Sequence, residues 1–144
     1  MSRINSKSLI LLDTHAWIWL INGDEQLRLS EALLLIERAA QLSNVKVSAI
    51  SVWEVSMLEA KGRISFSMEC LDWVKQALAA PGISLVPLTP EIAVLSSRLP
   101  GEFHGDPADR IIVATALELS ASLVTKDKKI LRYSESNPLN VIAI

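Results

Sequence analysis

The chain has 144 residues, half of them hydrophobic, and its 14 basic and 16 acidic residues leave a formal net charge of −2. This length suits one folded domain with a substantial core, so we predict a single domain over residues 1–144. The balance of charge lacks the strongly basic character of many nucleic-acid-binding domains. It does not exclude an enzyme that holds phosphates through bound cations and a few local Lys or Arg side chains.

The sequence offers no segment that would place the chain in a membrane. No apolar run approaches the ~18 residues that a membrane-spanning helix requires, and the start of the chain lacks the apolar region of a signal peptide. Cys70 is the one cysteine and has no partner for an internal disulfide, which is typical of a reducing compartment. We therefore expect a cytoplasmic protein in which Cys70 is a small buried hydrophobic residue rather than a nucleophile.

The first third of the chain predicts two strands with helices between them. LILLD (Leu9–Asp13) is a continuous apolar run that ends in an acid, as a short buried strand does. THAWIWLING is typical of a helix that ends at Gly23. A second helix begins near the cap residue Ser30 and ends at Asn44, and VKVSAI (Val45–Ile50) predicts the second strand.

The middle of the chain continues this alternation. The segment SVWEVSMLEAKG predicts a helix that opens with a capping box of Ser51 and Glu54 and closes at Gly62. A further helix is predicted over Ser67–Ala80, where a Pro-Gly pair breaks it. ISLVPL (Ile83–Leu88) predicts the third strand.

The last part of the chain completes the pattern. The tripeptide TPE opens a helix to about Leu99, the loop PGEFHGDP follows, and a helix is predicted over Pro107–Ser120. SLVTKD ends a fourth strand, and NVIAI (Asn140–Ile144) predicts a fifth. Apolar strands without strict alternation, separated by helices, indicate an α/β sandwich with a mostly parallel sheet of four to five strands.

Four acids fall outside the carboxyl ends of the predicted strands, where open α/β sheets bind their ligands. Asp13 ends the first strand, and Glu54 lies in the first predicted turn of the helix after the second strand. Asp109 lies in the first turn of the helix after the loop PGEFHGDP, and Asp127 follows the fourth strand. Asp106 adds a fifth acid, one helical turn before Asp109.

Each acid also has an ordinary structural interpretation. Glu54 can complete a capping box, and Asp106 can be an N-cap with Asp109 at the third helical position. Asp13 can cap the helix that follows it, and Asp127 can be a turn residue. Gathered in one cavity, however, these carboxylates would repel one another, and a hard divalent cation such as Mg²⁺ or Mn²⁺ would remove that conflict.

A carboxylate site that holds such a cation suits the hydrolysis of phosphodiesters. The cation lowers the pKa of a bound water, and a second cation, if present, stabilises the leaving oxygen. No serine, cysteine or histidine nucleophile is then required. His15 and His104 lack the ligand spacing of a zinc site, so we do not predict one.

Several motifs, taken in order, resemble the PIN-domain family and in particular the toxin nucleases of VapBC-type toxin–antitoxin pairs. They are LLDTH, ISVWEV at Ile50–Val55, HGDPADRIIVATA and LVTKD, and the resemblance extends over Leu9–Ile144. It implies a Mg²⁺- or Mn²⁺-dependent ribonuclease on a PIN-like α/β/α sandwich. It also implies a homodimer and an antitoxin that inserts a segment into an apolar groove.

The resemblance also implies which residues form the site. Asp13, Glu54 and Asp109 match the family's first three acids, which hold the metal. Asp127 is the candidate for the fourth acid, although many relatives place it slightly further along the chain. Asp106 is an extra acid that binds metal through water or only caps its helix.

Other side chains near the acids have two interpretations each. Thr14 and Thr125 fit the positions at which the family holds its carboxylates in place. Arg110 pairs with a carboxylate or contacts phosphate, and His104 is a candidate for substrate contact. The three lysines that flank Asp127 are typical of a solvated turn, but they would attract an RNA backbone if they line the cleft.

The tryptophans either bury area in a core or interface or stack on unpaired bases, and burial is the commoner use. The apolar residues after the first acid exceed what one small domain needs to cover and are candidates for the antitoxin groove. They are Trp17, Ile18, Leu20, Ile21 and Leu33–Leu35.

The sequence thus predicts a metal-dependent endoribonuclease, the toxin of a toxin–antitoxin pair, with RNA, an antitoxin and a second copy as partners. One alternative is a PIN-fold nuclease of RNA processing or DNA cleavage outside such a pair. Another is a catalytically silent nucleic-acid-binding module. A receiver-like domain with Asp13 as phosphate acceptor leaves Glu54 and Asp109 unexplained.

Overall fold

Five short strands form one sheet in the computed structural model, which describes residues 8–144; the first seven residues of the predicted domain lie outside this range. The strands are β1 (Ile10–Leu12), β2 (Val45–Ser48), β3 (Ile83–Val86), β4 (Ser122–Thr125) and β5 (Asn140–Ala143). Their order is β3-β2-β1-β4-β5, and every neighbouring pair is parallel. β1 is central, and its Leu12 pairs with Val47 on one side and Val124 on the other.

Helices connect the strands, as a parallel sheet requires. They are α1 (Thr14–Asn22), α2 (Glu25–Arg28), α3 (Ala32–Gln41), α4 (Ala49–Ala60), α5 (Cys70–Leu78), α6 (Pro90–Ser96), α7 (Pro107–Leu119) and α8 (Lys128–Ser134). Across residues 8–144, none of them has the length and apolar character needed to span a bilayer.

The sheet is covered on both faces, and β1 makes the layering visible. Ile10 and Leu12 pack into one core cluster with residues of α1, α3 and α5, whereas Leu11 between them packs into a second cluster with residues of α6, α7 and α8. All three are at most 1% exposed. Because successive side chains of a strand point to opposite faces, a strand buried on both faces has no polar alternation. The predicted α/β/α sandwich with a mostly parallel sheet of four to five strands is therefore confirmed, with five strands that all pair in parallel.

Helix α4 begins earlier than predicted, and the proposed capping box is wrong. Ser48 is the N-cap, and its side chain accepts a hydrogen bond from the Ile50 amide at 3.2 Å. Ser51 therefore lies inside the helix and is buried, and Glu54 lies in the second turn rather than the first. Ser48 and Ser51 are equally good cap residues, and the end of β2 decides between them.

Two short helices, α2 and α8, were not predicted, and α8 replaces a predicted turn. Asp127 caps α8 by accepting hydrogen bonds from the amides of Lys129 at 2.7 Å and Ile130 at 3.2 Å. Ile130 and Tyr133 then bury one face of the helix in the second core cluster. The two buried residues of α8 are only one helical turn apart, which is too short a stretch for a periodic apolar pattern to indicate a helix.

The turn into β3 depends on a glycine that has no room for a side chain. Gly82 has φ +82°, and a Cβ there would overlap the backbone of Ala40 at the end of α3. Gly62 has a similar φ of +71° but open space around the position of a Cβ. Both positions therefore favour glycine for its backbone conformation, but only at Gly82 would a side chain also collide with another part of the chain.

We expect Gly82→Ala to destabilise the protein far more than Gly62→Ala. The left-handed conformation alone costs roughly 1–2 kcal/mol for alanine, which lowers the melting temperature of a chain of this size by about 3–6 °C. The backbone overlap at Gly82 should at least double this loss. Equal losses in thermal unfolding followed by circular dichroism would refute the close approach of Gly82 to Ala40.

Candidate active site

The order of the strands creates a crevice at one end of the sheet. The chain moves outward from β1 through β2 to β3 and then returns to the other side of β1 for β4 and β5. In open α/β sheets, ligands bind where the order reverses, outside the carboxyl ends of the strands. Here that point lies between β1 and β4, and Asp13 and Asp127 follow the ends of these two strands.

A cavity of about 580 Å³ opens at this point, and all five predicted acids line it. We call it the acid cavity. Its lining residues are Asp13, His15, Glu54, Asp106, Asp109, Lys126, Asp127, Lys128 and Lys129. Four separate helices and the end of β1 supply these side chains, so acids that are remote in the sequence meet around one space.

A buried hydrogen bond holds the Asp13 side chain. Asp13 occupies the N-cap position of α1, but its side chain makes no capping hydrogen bond. Instead, Thr125 Oγ1 at the end of β4 donates to Asp13 Oδ2 at 2.5 Å. The same hydroxyl oxygen accepts a hydrogen bond from the Asp127 amide at 3.0 Å. Thr125 therefore joins the ends of β1 and β4, as expected for a residue that positions the carboxylate.

A second threonine holds Glu54. Thr14 Oγ1 donates to Glu54 Oε1 at 2.5 Å. Thr14 Oγ1 and Ser51 Oγ also share a hydrogen bond of 2.9 Å. Ser51 thus supports the threonine and does not cap α4, and the side chain of Glu54 is fixed by α1 rather than by its own helix terminus.

Asp106 and Asp127 each have a structural role beside the cavity. Asp106 is the N-cap of α7, and its Oδ1 accepts a hydrogen bond from the Asp109 amide at 2.9 Å. Asp127 Oδ1 caps α8 in the same way. Each acid keeps its second carboxylate oxygen, so capping and metal binding remain compatible at both positions.

Asp109 differs from the other four acids. Its carboxylate makes no hydrogen bond or ion pair within residues 8–144. Burial raises the pKa of Asp109 to about 7, with further contributions from the negative charges of Asp106, Asp127, Asp13 and Glu54. Its interpretation as a helix-terminus residue alone does not account for an acid held in so unfavourable a setting.

Burial also raises the pKa of the Asp13 carboxyl and that of the Glu54 carboxyl, which is less deeply buried. The hydrogen bonds from Thr125 and Thr14 oppose this rise because they favour the charged forms. Nearby acids raise both pKa values further. Three carboxyls at the cavity thus have pKa values above those of exposed acids, which is typical of functional sites.

The donor set fits a hard divalent cation. Five carboxyl side chains line the cavity, and none of them forms an ion pair among residues 8–144. In this part of the chain, no three acidic, histidine or cysteine side chains already converge as ligands of one ion. The five acids thus line one cavity without forming a ready set of three ligands, and Mg²⁺ typically uses only one or two carboxylates with several waters.

The rim of the cavity is cationic, and the cavity also includes His15, which the sequence raised only as a candidate zinc ligand. Lys126, Lys128 and Lys129 are exposed at the rim, and Lys126 Nζ lies 5.1 Å from the centroid of the Trp19 ring. His15 also lines the cavity, and burial, with the nearby charge of Lys126, lowers the pKa of its imidazole. Its position two residues after Asp13 was the available signal.

Other candidates lie away from the acid cavity. Arg110 forms no ion pair with a carboxylate within residues 8–144 and does not line the acid cavity: it donates to the carbonyls of Phe103 at 2.6 Å and Ser96 at 2.8 Å. Cys70 is half-buried on α5, where burial raises the pKa of its thiol. Trp17 is fully buried in the core, whereas Trp53 is 53% exposed.

Comparison with known proteins agrees with this architecture. The family model of the PIN domain matches residues 10–136. Ribonuclease VapC22 of Mycobacterium tuberculosis (strain ATCC 25618 / H37Rv) is 36% identical over 132 residues, which are 92% of this chain and 97% of that protein.

Solved structures share the fold at lower identity. DNA-bound VapBC from Salmonella typhimurium matches with a TM-score of 0.66 and 18% identity, over 94% of this chain and 98% of that chain. VapBC2 from Rickettsia felis, bound to a DNA fragment from its promoter, matches with a TM-score of 0.64 and 14% identity, with the same two coverages. At these identities the similarity is one of fold.

We expect Asp109→Asn to stabilise the metal-free protein at pH 8. Because the pKa of Asp109 is raised in the folded state, its stabilising contribution is complete below the unfolded pKa of 3.8 and is lost as the pH rises through about 7. The side chain is partly exposed, so solvent screening limits the gain to ~1 kcal/mol, or about 3 °C.

The measurement is thermal unfolding in EDTA at pH 4 and pH 8. The difference between Asp109→Asn and the unsubstituted protein should be close to zero at pH 4 and largest at pH 8. Glu118→Gln removes one negative charge from the exposed face of the same helix and serves as the control. A gain of the same size in Glu118→Gln would contradict the electrostatic origin.

Proposed function

Because this chain belongs to the PIN-domain family, we propose that it is a metal-dependent endoribonuclease that hydrolyses phosphodiester bonds of RNA and is the toxin of a type II toxin–antitoxin pair. The observation that carries the proposal is the unpaired carboxylate of Asp109 among four further acids in one cavity. A site that gathers negative charge without a cationic side chain paired to it suits a metal ion and a phosphate substrate.

Asp13, Glu54 and Asp109 would hold the cation, which is Mg²⁺ or Mn²⁺, with Asp127 and Asp106 contributing their free oxygens. When bound, such a cation supplies Lewis-acid chemistry that makes hydroxide available near neutral pH. Thr125 and Thr14 keep one oxygen each of Asp13 and Glu54 in place. These outer contacts preserve the directions of the remaining oxygens.

The lysines at the rim would hold the substrate. Lys126, Lys128 and Lys129 are exposed and form no ion pair within residues 8–144. They lie on the side of the cavity where α8 begins, so an RNA backbone there meets positive charge before it reaches the acids. Phosphate contacts of this kind provide affinity without sequence preference.

An apolar groove on the opposite side of the sheet from α7 suits the antitoxin. This groove has a volume of about 400 Å³, and it is lined mainly by residues of α1, α3, α5 and the start of β3. Leu20 and Ile21, two of the residues expected in an antitoxin groove, line it. Trp17 and Ile18 are buried in the core instead, and Leu33–Leu35 are not among its lining residues. The similar structures from Salmonella typhimurium and Rickettsia felis are VapBC complexes, which supports an antitoxin as the occupant.

The proposal includes a homodimer, as the family resemblance implies. Exposed apolar side chains such as Trp53 and Val94, on α4 and α6, offer surface for a second copy. Light scattering of the purified chain would report the oligomeric state directly.

The first test is the loss of cleavage in Asp13→Asn and Asp109→Asn. Removal of partners that only hold the ligands typically costs about 10–100-fold, so removal of a ligand should reduce RNA cleavage by more than about a hundredfold. The assay is cleavage of total cellular RNA in Mn²⁺, with Glu118→Gln as the control. Circular dichroism checks that each variant is folded.

Thermal unfolding with Mn²⁺ separates the nuclease from a silent binding module. At ten times its dissociation constant, the ion should add about 1.4 kcal/mol and raise the melting temperature by roughly 5 °C. Asp109→Asn should lose this shift. Full cleavage by Asp109→Asn would overturn the proposed site, and an unchanged melting temperature in the parent protein would favour the silent module.

The antitoxin interaction has its own test in Leu20→Lys. A charge in the apolar groove should weaken the antitoxin by about tenfold or more, because the charged group would lose water on binding. RNA cleavage should remain, because Leu20 does not line the acid cavity. The measurement is inhibition of RNA cleavage by the cognate antitoxin. Undiminished inhibition would place the antitoxin elsewhere.

A further inference from the structure

A second cavity, of about 310 Å³, adjoins the acid cavity. It lies between the loop at residues 102–104 and helix α8, and Lys129 lines both cavities. We call it the basic groove and define it by Lys129, Arg132, Tyr133 and Asn137 on one wall and Phe103 and His104 on the other. Because Lys129 lines both, the acid cavity and the basic groove lie next to each other at the start of α8.

The two cavities differ in the charge of their lining side chains. Five acids line the acid cavity, whereas Lys129 and Arg132 line the basic groove. Lys129 and Arg132 are one helical turn apart, both exposed, and neither forms an ion pair within residues 8–144. The acid at the far edge, Glu102, lies 3.7 Å from His104 Nε2 and so faces the imidazole. The acid cavity repels an anion in the absence of cations, whereas the adjoining groove attracts one.

The groove is held in shape by its own hydrogen bonds. Tyr133 Oη donates to the Pro100 carbonyl at 2.6 Å, which ties α8 to the start of the loop. The Phe103 ring packs against the Tyr133 ring with centroids 5.2 Å apart. Arg110 binds the Phe103 carbonyl from the other side. These contacts hold the loop against α8, so the groove beside Lys129 and Arg132 exists without the cost of ordering a mobile loop.

From this geometry we infer that the basic groove binds the backbone phosphates of the single-stranded RNA segment next to the scissile bond, with Lys129 and Arg132 as the phosphate contacts. The inference rests on the proposed ribonuclease function. A strand whose scissile phosphate lies over the acids would leave the acid cavity past Lys129, since this residue borders both spaces. Arg132 then meets the next phosphate, and its planar guanidinium can bind two phosphate oxygens.

The test compares two double variants that each lose one lysine and one arginine. Lys129→Ala with Arg132→Ala removes the groove contacts. Arg38→Ala with Lys75→Ala removes the same charge from exposed positions on α3 and α5, which line neither cavity. Binding of a labelled single-stranded RNA is measured by fluorescence anisotropy in EDTA, which prevents metal-dependent cleavage, at several salt concentrations from 50 mM.

The groove variant should bind RNA at least about tenfold more weakly than the parent protein at 50 mM salt. Each lost phosphate contact lowers the slope of log affinity against log salt by about 0.7 for a single strand, so two contacts lower it by about 1.4. In cleavage assays with Mn²⁺, KM should rise more than kcat falls. Arg132→Lys should keep the salt slope of the parent protein, because it preserves the charge, but should lose part of the affinity, because an ammonium group cannot reproduce a contact with two phosphate oxygens.

Several outcomes would overturn the inference. One is a groove variant with the RNA affinity and salt slope of the parent protein. Another is a control variant that loses as much RNA affinity as the groove variant. A third is a parent protein that does not bind RNA at 50 mM salt. Binding of a poly-glutamate peptide as tightly as RNA would assign the groove to an acidic protein segment instead. Groove-dependent RNA binding without cleavage in Mn²⁺ would support the groove while overturning the proposed nuclease.

Discussion

Repulsion between like charges is the constraint around which the site is built. Five carboxylates line one cavity, and no cationic side chain within residues 8–144 pairs with any of them. Two threonines stabilise Asp13 and Glu54, and two helix termini stabilise Asp106 and Asp127. Asp109 alone receives no such hydrogen bond, and its pKa is raised first by burial and then by the negative charges of the other four acids. A fold that keeps this unfavourable arrangement has a use for it, because such acids could be replaced with a gain in stability.

The neighbouring cationic surface completes that arrangement. Lys129 borders the acids on one side and stands beside Arg132 on the other. A polyanionic chain can therefore approach the acid cavity, because the positive charge of the basic groove lies next to it. The overall charge of −2 conceals this separation. Net charge alone therefore says little about whether this chain binds nucleic acid.

The parts of the structure that follow from burial could be predicted from the sequence. The apolar runs place all five strands, and Gly23 and the Pro107 segment mark helix boundaries correctly. The ends of the strands also place the acids near one another. Whether the chain forms a single domain over residues 1–144 and whether the acids bind metal stay predictions.

Features that depend on tertiary contacts were missed. The choice between Ser48 and Ser51 as cap depends on where β2 stops pairing. Arg110 follows an acid in the sequence, yet its guanidinium donates to the carbonyls of Ser96, at the end of α6, and of Phe103, in the loop that follows α6. Asp13 and Thr125, which share a hydrogen bond, are 112 residues apart in the sequence, so they are synthesised at different times. During synthesis, a ribosome-bound chain that has not yet released β4 lacks this contact, so the Asp13 carboxylate gains its hydrogen-bond donor only after Thr125 has left the ribosome.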